Sequence, residues 1–339
     1  MEKYWENFGD VAGRMGSALY ETLSRGIAED EDMQAIAAQV RPGQPKANTL
    51  FGAVHFLLLR GATHSLRDFY STLGGTRAID AAKLYPLFQD FVARHRDEIS
   101  ALVSTRVTNT NEVGRCAFLH AGFRVLAREL DAPVHLIELG PSAGLNLIWD
   151  KYGVRYNRGG KTVGAISPTA PLVLDCELKG EGTPPLGLAP TIASRIGLEL
   201  NPVDLARAED RDWLRALVWP DQAARLARLD TAIGLFSSDP PTIRAGDALA
   251  LLPEVLANTP PGPVCVYHTW VVYQFSTAMK ETLEQVLEGA GRPIFRLSHE
   301  GDGTRDSLLL SRYGEGKRTD RHLAWAHPHG TWLEWESAT

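Results

Sequence analysis

The segment from Val134 to Asn146 holds the residues whose types and spacing predict chemistry most directly. It reads V-H-L-I-E-L-G-P-S-A-G-L-N, an apolar strand that ends in Glu-x-Gly and a turn of small residues before a predicted helix. Small residues let a ligand approach the backbone, and the start of a helix offers free N–H groups and a positive dipole end. A carboxylate such as Glu138 at a strand end can accept hydrogen bonds from ribose hydroxyls or bind a cation. The segment therefore predicts a nucleotide-handling edge of a sheet.

A second candidate for chemistry is V-Y-H-T-W, residues 266–270. His268 is expected at the end of a strand, and because an imidazole titrates near neutral pH it is the candidate general base. A hydrogen-bonded structural histidine at the sheet edge fits the same pattern. Trp270 and Tyr273 are candidates for the wall of a substrate pocket, although aromatic residues beside a sheet also serve packing.

A third pattern predicts a different reaction. Gly140-Pro-Ser-Ala-Gly144 matches G-x-S-x-G, the nucleophile elbow of hydrolases, which follows a strand and precedes a helix. Ser142 would be the nucleophile, and the chain order Ser, Asp, His leaves several candidates for its partners: Asp239 or Asp247, then His268 or His299. Against a hydrolase, helices precede the elbow, no H-G-G-G segment lies upstream, and Glu138 would place a like charge near the oxyanion.

Two patterns divide the chain into the elements that position these residues. Over residues 1–131 apolar residues recur mostly at helical spacing, which predicts a helical N-terminal domain. The predicted helices there are Tyr4 to Arg25, Thr49 to Leu59, Tyr85 to His95 and Glu112 to Leu130.

Over residues 132–339 short apolar runs alternate with helical patterns, which is typical of a mostly parallel sheet with crossover helices. The predicted strands are Val134 to Leu139, Ser194 to Leu200, Thr242 to Ala245, Val264 to His268, Pro293 to Ser298 and Ser307 to Arg312. The predicted helices are Leu145 to Lys151, Arg211 to Phe236, Leu249 to Ala257 and Ser276 to Glu288. Residues 153–190, rich in Gly and Pro, predict a β-rich insertion after the first strand-helix unit.

The predicted helix from Glu112 to Leu130 carries a geometric argument. It would be about 30 Å long and would run antiparallel to the strand that follows it within a few residues. Its start, with Asn109, Asn111, Glu112 and Arg115, should then lie near the Gly140 turn. The alternative is a local role, in which Asn111 caps the helix and Glu112 pairs with Arg115.

The region from Val134 onward resembles the Rossmann-like S-adenosylmethionine-dependent methyltransferases. Glu138-Leu-Gly-Pro-Ser-Ala-Gly-Leu-Asn146 is similar to their first motif, Arg195-Ile-Gly-Leu-Glu199 to their second strand, and Arg244-Ala-Gly-Asp247-Ala248 to the acidic turn after their third. The resemblance implies an α/β fold with a mostly parallel sheet whose last strand is antiparallel. It implies methyl transfer, with S-adenosylmethionine as the cofactor.

The same resemblance implies roles for individual residues. Gly140 and Gly144 would permit close approach to the methionine part of the cofactor, and Glu138 or nearby backbone groups would engage its ammonium group. The same segment also contains Pro141, Ser142 and Asn146. Glu199 would bind the ribose diol, and Asp247 with the Ala248 N–H the adenine edge, beside Asn111 and Arg115. The inserted segment lengthens the usual spacing between the glycine turn and the ribose-binding acid. Asp175 and Glu177 are therefore further candidates for that acid. Asp247 has a structural alternative as a helix N-cap.

More closely, three segments resemble a bacterial family catalogued only as domain of unknown function 2332. They are Thr108-Asn-Thr-Asn-Glu-Val-Gly-Arg115, Gly144-Leu-Asn-Leu and Trp219-Pro-Asp-Gln222. The likeness extends along nearly the whole chain, which implies that the helical half and the sheet belong together. It carries no activity, so a non-catalytic nucleoside-binding or scaffold protein is the alternative to a methyltransferase, and a serine hydrolase the second alternative.

Composition restricts the partners. The 339 residues carry a net charge of −6, which argues against binding nucleic acid chiefly through phosphate neutralisation. A small-molecule substrate is expected instead. The three cysteines lack C-x-x-C spacing, which fits a reducing cytoplasm and no thiolate metal site, and the histidines predict no metal site either. No membrane span is expected, and the oligomeric state is not predicted.

Overall fold

The computed structural model describes residues 1–301, 305–314 and 316–336, and these fold into two compact units. The first unit contains Met1–Thr110 and Val203–Asp230, and the second contains Asn111–Pro202 and Thr231–Thr339. The predicted domain boundary at residue 131 falls inside the second unit, whereas residues 203–230 belong to the helical unit.

Helices dominate the first part of the chain and strands the rest. The helices are α1 (Glu2–Arg14), α2 (Ala18–Ala28), α3 (Glu31–Ala37), α4 (Lys46–Leu59), α5 (Ala81–Arg94), α6 (Arg96–Thr105), α7 (Cys116–Ala127), α8 (Ala208–Ala216), α9 (Ala223–Phe236), α10 (Ala248–Asn258) and α11 (Thr277–Glu288). The strands are β1 (Val134–Leu139), β2 (Gly153–Arg158), β3 (Lys161–Ile166), β4 (Val173–Lys179), β5 (Ile192–Glu199), β6 (Thr242–Ala245), β7 (Val264–Thr269), β8 (Ile294–Glu300), β9 (Asp306–Gly314), β10 (Lys317–Ala326) and β11 (Trp332–Trp335). Short 3₁₀ helices cover Ser65–Phe69, Ser71–Leu73, Val113–Arg115, Leu145–Lys151 and Val272–Gln274.

The first unit is helical, and its core is built around Phe51 of α4. The Phe51 ring stacks on Tyr20 at 4.3 Å between centroids and meets Trp5 edge-on at 5.8 Å. The single helix predicted from Tyr4 to Arg25 is two helices. The chain turns at Gly16, whose φ of +79° suits glycine, and Ser17 then caps α2 by accepting the Tyr20 N–H.

A large, mostly parallel mixed sheet forms the second unit. Among the described residues, eleven strands pair in the order β3-β2-β4-β11-β10-β9-β8-β7-β1-β5-β6. The run β8-β7-β1-β5-β6 is parallel throughout, and β9 is antiparallel to β8. The predicted β-rich insertion supplies β2, β3 and β4, which extend the same sheet beyond β11.

Helices cover the central strands. Val264 and Val266 of β7 belong to a core cluster that includes apolar residues of α10 and α11, whereas the next residue, Tyr267, packs edge-on against Phe123 of α7 at 5.2 Å. Side chains of a strand alternate between faces, so this pattern places α7 on one face of β7 and the α10–α11 pair on the other. Gly122 of α7 allows the close approach, because a side chain there would meet Leu297.

The strand order reverses at β1. The chain passes from β1 to its neighbour β5 and then outward to β6, and afterwards returns to place β7 on the other side of β1. In open α/β sheets such a reversal separates the loops at the carboxyl ends of the strands and leaves a crevice there. The turn after β1 lies at this edge.

In the part of the chain that the structure describes, no helix is both long enough and apolar enough to cross a membrane.

Candidate functional site at the carboxyl ends of β1, β5 and β7

The turn after β1 is tightly bent. Three of its five residues have left-handed backbones, with φ values of +63° at Gly140, +57° at Ser142 and +84° at Gly144. The Gly140 N–H donates to the Leu198 carbonyl, which keeps the turn attached to β5. A left-handed conformation is costly for a serine, about 1–2 kcal/mol, so contacts elsewhere must hold Ser142 in place.

Glu199, the last residue of β5, holds that turn. One of its carboxylate oxygens accepts the Ser142 N–H at 2.8 Å, and the other accepts the Asn201 N–H at 2.9 Å. The residue is only 6% exposed. The predicted ribose-binding acid is thus brought to the glycine turn despite the insertion. Asp175 and Glu177, on β4, instead contact Arg155, Asn157 and Gly159.

The two glycines of the turn have packing reasons of their own. A side chain at Gly140 would come within 2.7 Å of Val271, and one at Gly144 within 2.8 Å of Ile243 and 3.2 Å of Phe236. Together with the positive φ angles, these contacts require glycine with or without a ligand.

Glu138 is a buried acid beneath the turn. Its Oε2 accepts a hydrogen bond from the Tyr267 hydroxyl at 3.0 Å, and the residue is 2% exposed. Burial is the main cause that raises the pKa of Glu138 to about 8; the Tyr267 hydrogen bond opposes this shift, and the charge of Glu199 adds to it. Near neutral pH the group is therefore mostly a neutral carboxylic acid.

The segment before α7 reaches the turn, as the geometric argument predicted. The Asn111 Oδ1 accepts the Leu145 N–H at 3.0 Å, and the Asn146 Oδ1 accepts the Cys116 thiol at 3.3 Å. Glu112 has a local role, since its Oε1 accepts the Gly114 N–H. Arg115 lies at the end of β7, where its Nη1 donates to the Thr269 carbonyl at 2.9 Å.

Asp247 caps α10. Its Oδ1 accepts the Leu249 N–H at 2.8 Å, which is the structural role weighed from the sequence, and its side chain is exposed. The Gly246 N–H, just before it, donates to the Glu199 carbonyl. Asp247 and the half-buried Ala248 therefore follow β6, which pairs with β5, the strand that Glu199 ends.

Both ring nitrogens of His268 have partners within the protein. It is fully buried, its Nδ1 is 2.5 Å from Glu300 Oε1, and its Nε2 accepts from Arg296 Nε at 2.9 Å. Burial lowers its pKa, and the bond to Glu300 opposes that shift. Because both ring nitrogens are engaged, the contacts favour a structural role for His268, and its role as general base stays a prediction.

The same geometry weighs against a serine hydrolase. Ser142 does have the left-handed backbone of a nucleophile elbow, but His268 has no nitrogen available for it. His299 is also fully buried, and its Nε2 contacts the Ala326 carbonyl. The carboxylate of Glu199 bonded to the Ser142 N–H would repel a developing oxyanion.

Sequence reasoning missed Glu300, the last residue of β8. Its carboxylate accepts the backbone N–H groups of three successive residues, Val271, Val272 and Tyr273, at 3.0–3.1 Å. These bonds hold the loop after β7, in which Trp270 has a φ of +58° and meets Tyr273 edge-on at 4.9 Å. No local signal marks Glu300, because its partners come from another strand.

Among the described residues, no group of three or more His, Cys, Asp or Glu side chains could hold a metal ion.

A family model described as "Uncharacterized protein conserved in bacteria (DUF2332)" matches residues 2–335. The chain therefore belongs to this bacterial family, and the resemblance drawn from the three sequence segments is confirmed. A search of curated proteins finds no match.

Proposed function

We propose that this protein binds S-adenosylmethionine at the carboxyl ends of β1, β5 and β6 and transfers the methyl group to a small molecule. In this proposal the β6-β5-β1-β7-β8-β9 part of the sheet is a Rossmann-like methyltransferase fold, with β9 as its antiparallel strand.

One observation carries the proposal. A strand-final acid, Glu199, lies beside a glycine turn at the point where the strand order reverses, and its carboxylate accepts the N–H of Ser142 in that turn. Ligands of open α/β sheets bind at such reversals, and a strand-final acid next to the first turn is where a ribose diol is held.

The residues present fit an adenosyl group. A carboxylate has about four acceptor positions, and Glu199 uses two of them for Ser142 and Asn201 among the described residues, which leaves two for ribose hydroxyls. Asp247 is exposed and uses Oδ1 for Leu249, so it retains acceptor positions for the amino group of adenine. A side chain at either glycine would meet Val271, Ile243 or Phe236, so the ligand would meet the backbone of the turn. The N–H groups of Gly140, Ser142 and Gly144 already donate within the protein.

The chemistry asks little of the protein beyond positioning. The bound sulfonium supplies an activated methyl group, and the sulfur retains the electron pair of the broken bond while the acceptor forms the new one. Glu138 would hold the ammonium group, since a nearby cation favours the ionised form of a buried acid. Trp270 and the half-exposed Tyr273 would line the acceptor side. With His268 engaged, the acceptor must be a nucleophile that needs no base.

The engagement of His268 also favours a second candidate, a nucleoside-binding protein without catalysis. It shares the binding site and differs only in turnover. Radiolabelled methyl donor incubated with protein and cell metabolites separates the two, because only a methyltransferase yields a labelled product.

Calorimetric titration with S-adenosylmethionine and S-adenosylhomocysteine tests the binding itself. We expect saturable binding of both, with affinities in the micromolar range, about −8 kcal/mol. Asp247→Ser should weaken binding about tenfold without loss of stability, because serine keeps the helix cap but cannot reach adenine.

The matched control is Asp80→Ser, which makes the same change at Asp80, the N-cap of α5. It should leave binding unchanged. Absence of heat and of any thermal shift with either ligand would reject the proposal.

A further inference from the structure

The second unit contains a cavity at the other ends of the same strands. Its volume is about 490 Å³, and it lies where α7 ends and where β1 and β5 begin. Much of its wall is apolar, formed by Ala127, Leu130, Pro133, Pro185, Leu188 and Pro190. The glycine turn and Glu199 lie at the opposite, carboxyl ends of β1 and β5, so the cavity is separate from the proposed cofactor site.

Arg124, which lines this cavity, is a buried cation without an ion pair among the described residues. It is 7% exposed, and its Nε donates to the Gly187 carbonyl at 2.8 Å. Its Nη1 contacts the Nδ1 of His120 at 2.8 Å and the His120 carbonyl at 3.1 Å. All these acceptors are neutral, and the Nη2 of Arg124 takes no part in these hydrogen bonds. Buried charges in proteins are normally paired, so the guanidinium lacks the anion that such a position calls for.

Arg128 adds a second guanidinium to the same cavity. It follows Arg124 by four residues at the end of α7, which places both on one face of the helix, and it has no ion pair in the described part of the chain. Asp131 also lines the cavity and contributes one negative charge. Two cations against one carboxylate leave the cavity with a net positive charge.

Another part of the cavity wall is suited to an apolar group. Pro185 and residues 187–191 line it, and the Arg124 bond to the Gly187 carbonyl fixes this segment to α7. Leu188 in that segment is 91% exposed, the largest value among the exposed apolar side chains of the described residues. A leucine so exposed beside a cationic cavity would gain free energy by covering an apolar ligand.

We propose that this cavity binds a small organic anion that carries an apolar group, with Arg124 and Arg128 holding the charge and Leu188 covering the apolar part. A carboxylate and a phosphate monoester share this chemistry, since both accept hydrogen bonds from guanidinium groups.

Titration calorimetry with four probes of equal chain length tests the class of ligand: hexanoate, hexyl phosphate, hexan-1-ol and hexylammonium. We expect saturable binding of at least one anion and none of the alcohol or the ammonium ion. The tighter of the two anions identifies the head group. Equal binding of all four, or of none, would overturn the proposal.

Variants test the charges. Arg128→Ala should weaken anion binding about tenfold, and Asp131→Asn should strengthen it, because the first removes a cation and the second an anion from the cavity wall. Both side chains are exposed, so folding should be unaffected. Replacing Arg124 would also release Gly187 and His120, so Arg128 is the better probe.

Arg321→Ala, an exposed arginine of β10 with no ion pair in the described chain, is the matched control and should leave affinity unchanged. An affinity that is the same in Arg128→Ala as in the unaltered protein would count against the site.

Discussion

Two turns of the sheet are held in the same way and differ in what they leave available. After β1, the left-handed Ser142 is held by Glu199, the last residue of the neighbouring strand β5. After β7, the left-handed Trp270 precedes three N–H groups held by Glu300, the last residue of the neighbouring strand β8. In both cases a strand-final carboxylate fixes the loop that follows the adjacent parallel strand.

The number of acceptor positions in use separates the two acids. Glu300 accepts three N–H groups and contacts the His268 Nδ1, which occupies about all four positions of a carboxylate. Although burial alone would raise it, the pKa of Glu300 falls to about 2 because of His268 and the backbone bonds. Glu199 accepts only two N–H groups within the described chain. The comparison therefore assigns Glu300 to loop structure and leaves Glu199 with acceptor positions for the proposed ligand.

The largest expected effect is on folding, in Glu300→Ala. The change leaves three backbone N–H groups and His268 without their acceptor, and each lost bond to a charged group costs about 1.5–3 kcal/mol. We expect a loss of at least about 3 kcal/mol in the free energy of unfolding, measured by urea denaturation. Glu288→Ala, at an exposed position of α11, should change it by less than about 0.5 kcal/mol. If Glu300→Ala lowers the free energy of unfolding by less than about 1 kcal/mol, Glu300 does not have this structural role.

Glu199→Gln should affect ligand affinity more than stability, whereas Glu300→Ala mainly affects stability. Glutamine keeps one acceptor oxygen but turns its amide group toward a backbone N–H, so we expect a loss of about 1–2 kcal/mol in folding. Affinity for S-adenosylhomocysteine should fall about tenfold to a hundredfold, because the ribose diol loses a charged acceptor.

The matched control for that experiment is Glu300→Gln, which makes the same chemical change at the other turn. Calorimetry on the folded protein should show less than a threefold change in affinity for this variant. If the two glutamine variants lose affinity equally, the distinction between the turns fails.

Local patterns predicted the elements on which this comparison depends. The predicted bounds of β1 and β6 match the structure residue by residue, because each is a short run with a proline directly before it and a glycine directly after it. Leu145 to Lys151 was predicted as a helix and is a 3₁₀ helix. The non-helical backbone at Ile148 could not be predicted from residue propensities. The placement of Asn111 at the glycine turn could be predicted because a helix and the strand after it must pack antiparallel.

Partners that come from distant segments could not be predicted. Glu300 is 28 residues from Val272, and nothing near it in sequence indicates that β8 pairs with β7 and carries it to that loop. His268 was predicted as a base from its position at a strand end, and its two partners, Glu300 and Arg296, both lie on the next strand. Register across strands decides such contacts, and a single sequence does not contain it.

Per unit of pH, the smallest expected effect on stability is a pH dependence that distinguishes Glu138 from Glu300. The folded pKa of Glu138, about 8, lies above its ordinary 4.5, so the unfolded chain releases this proton first as the pH rises. Its contribution to stability is complete below about pH 4.5 and is lost as the pH rises to about 8. Glu300 has a folded pKa of about 2, so its contribution is present above about pH 4.5 and is lost as the pH falls toward 2.

Urea denaturation of the unaltered protein and of Glu138→Gln at pH 5, 6, 7 and 8 measures this contribution. One proton corresponds to at most about 1.4 kcal/mol per pH unit, and the variant should lack that part of the decline, since glutamine can serve as acceptor for the Tyr267 hydroxyl without titrating. Glu138→Gln should therefore gain in stability relative to the unaltered protein with each unit of pH. Parallel curves for the two proteins would mean that Glu138 is ionised when folded, and it would then be a permanent anion beneath the turn instead of an acid that a bound ammonium group ionises.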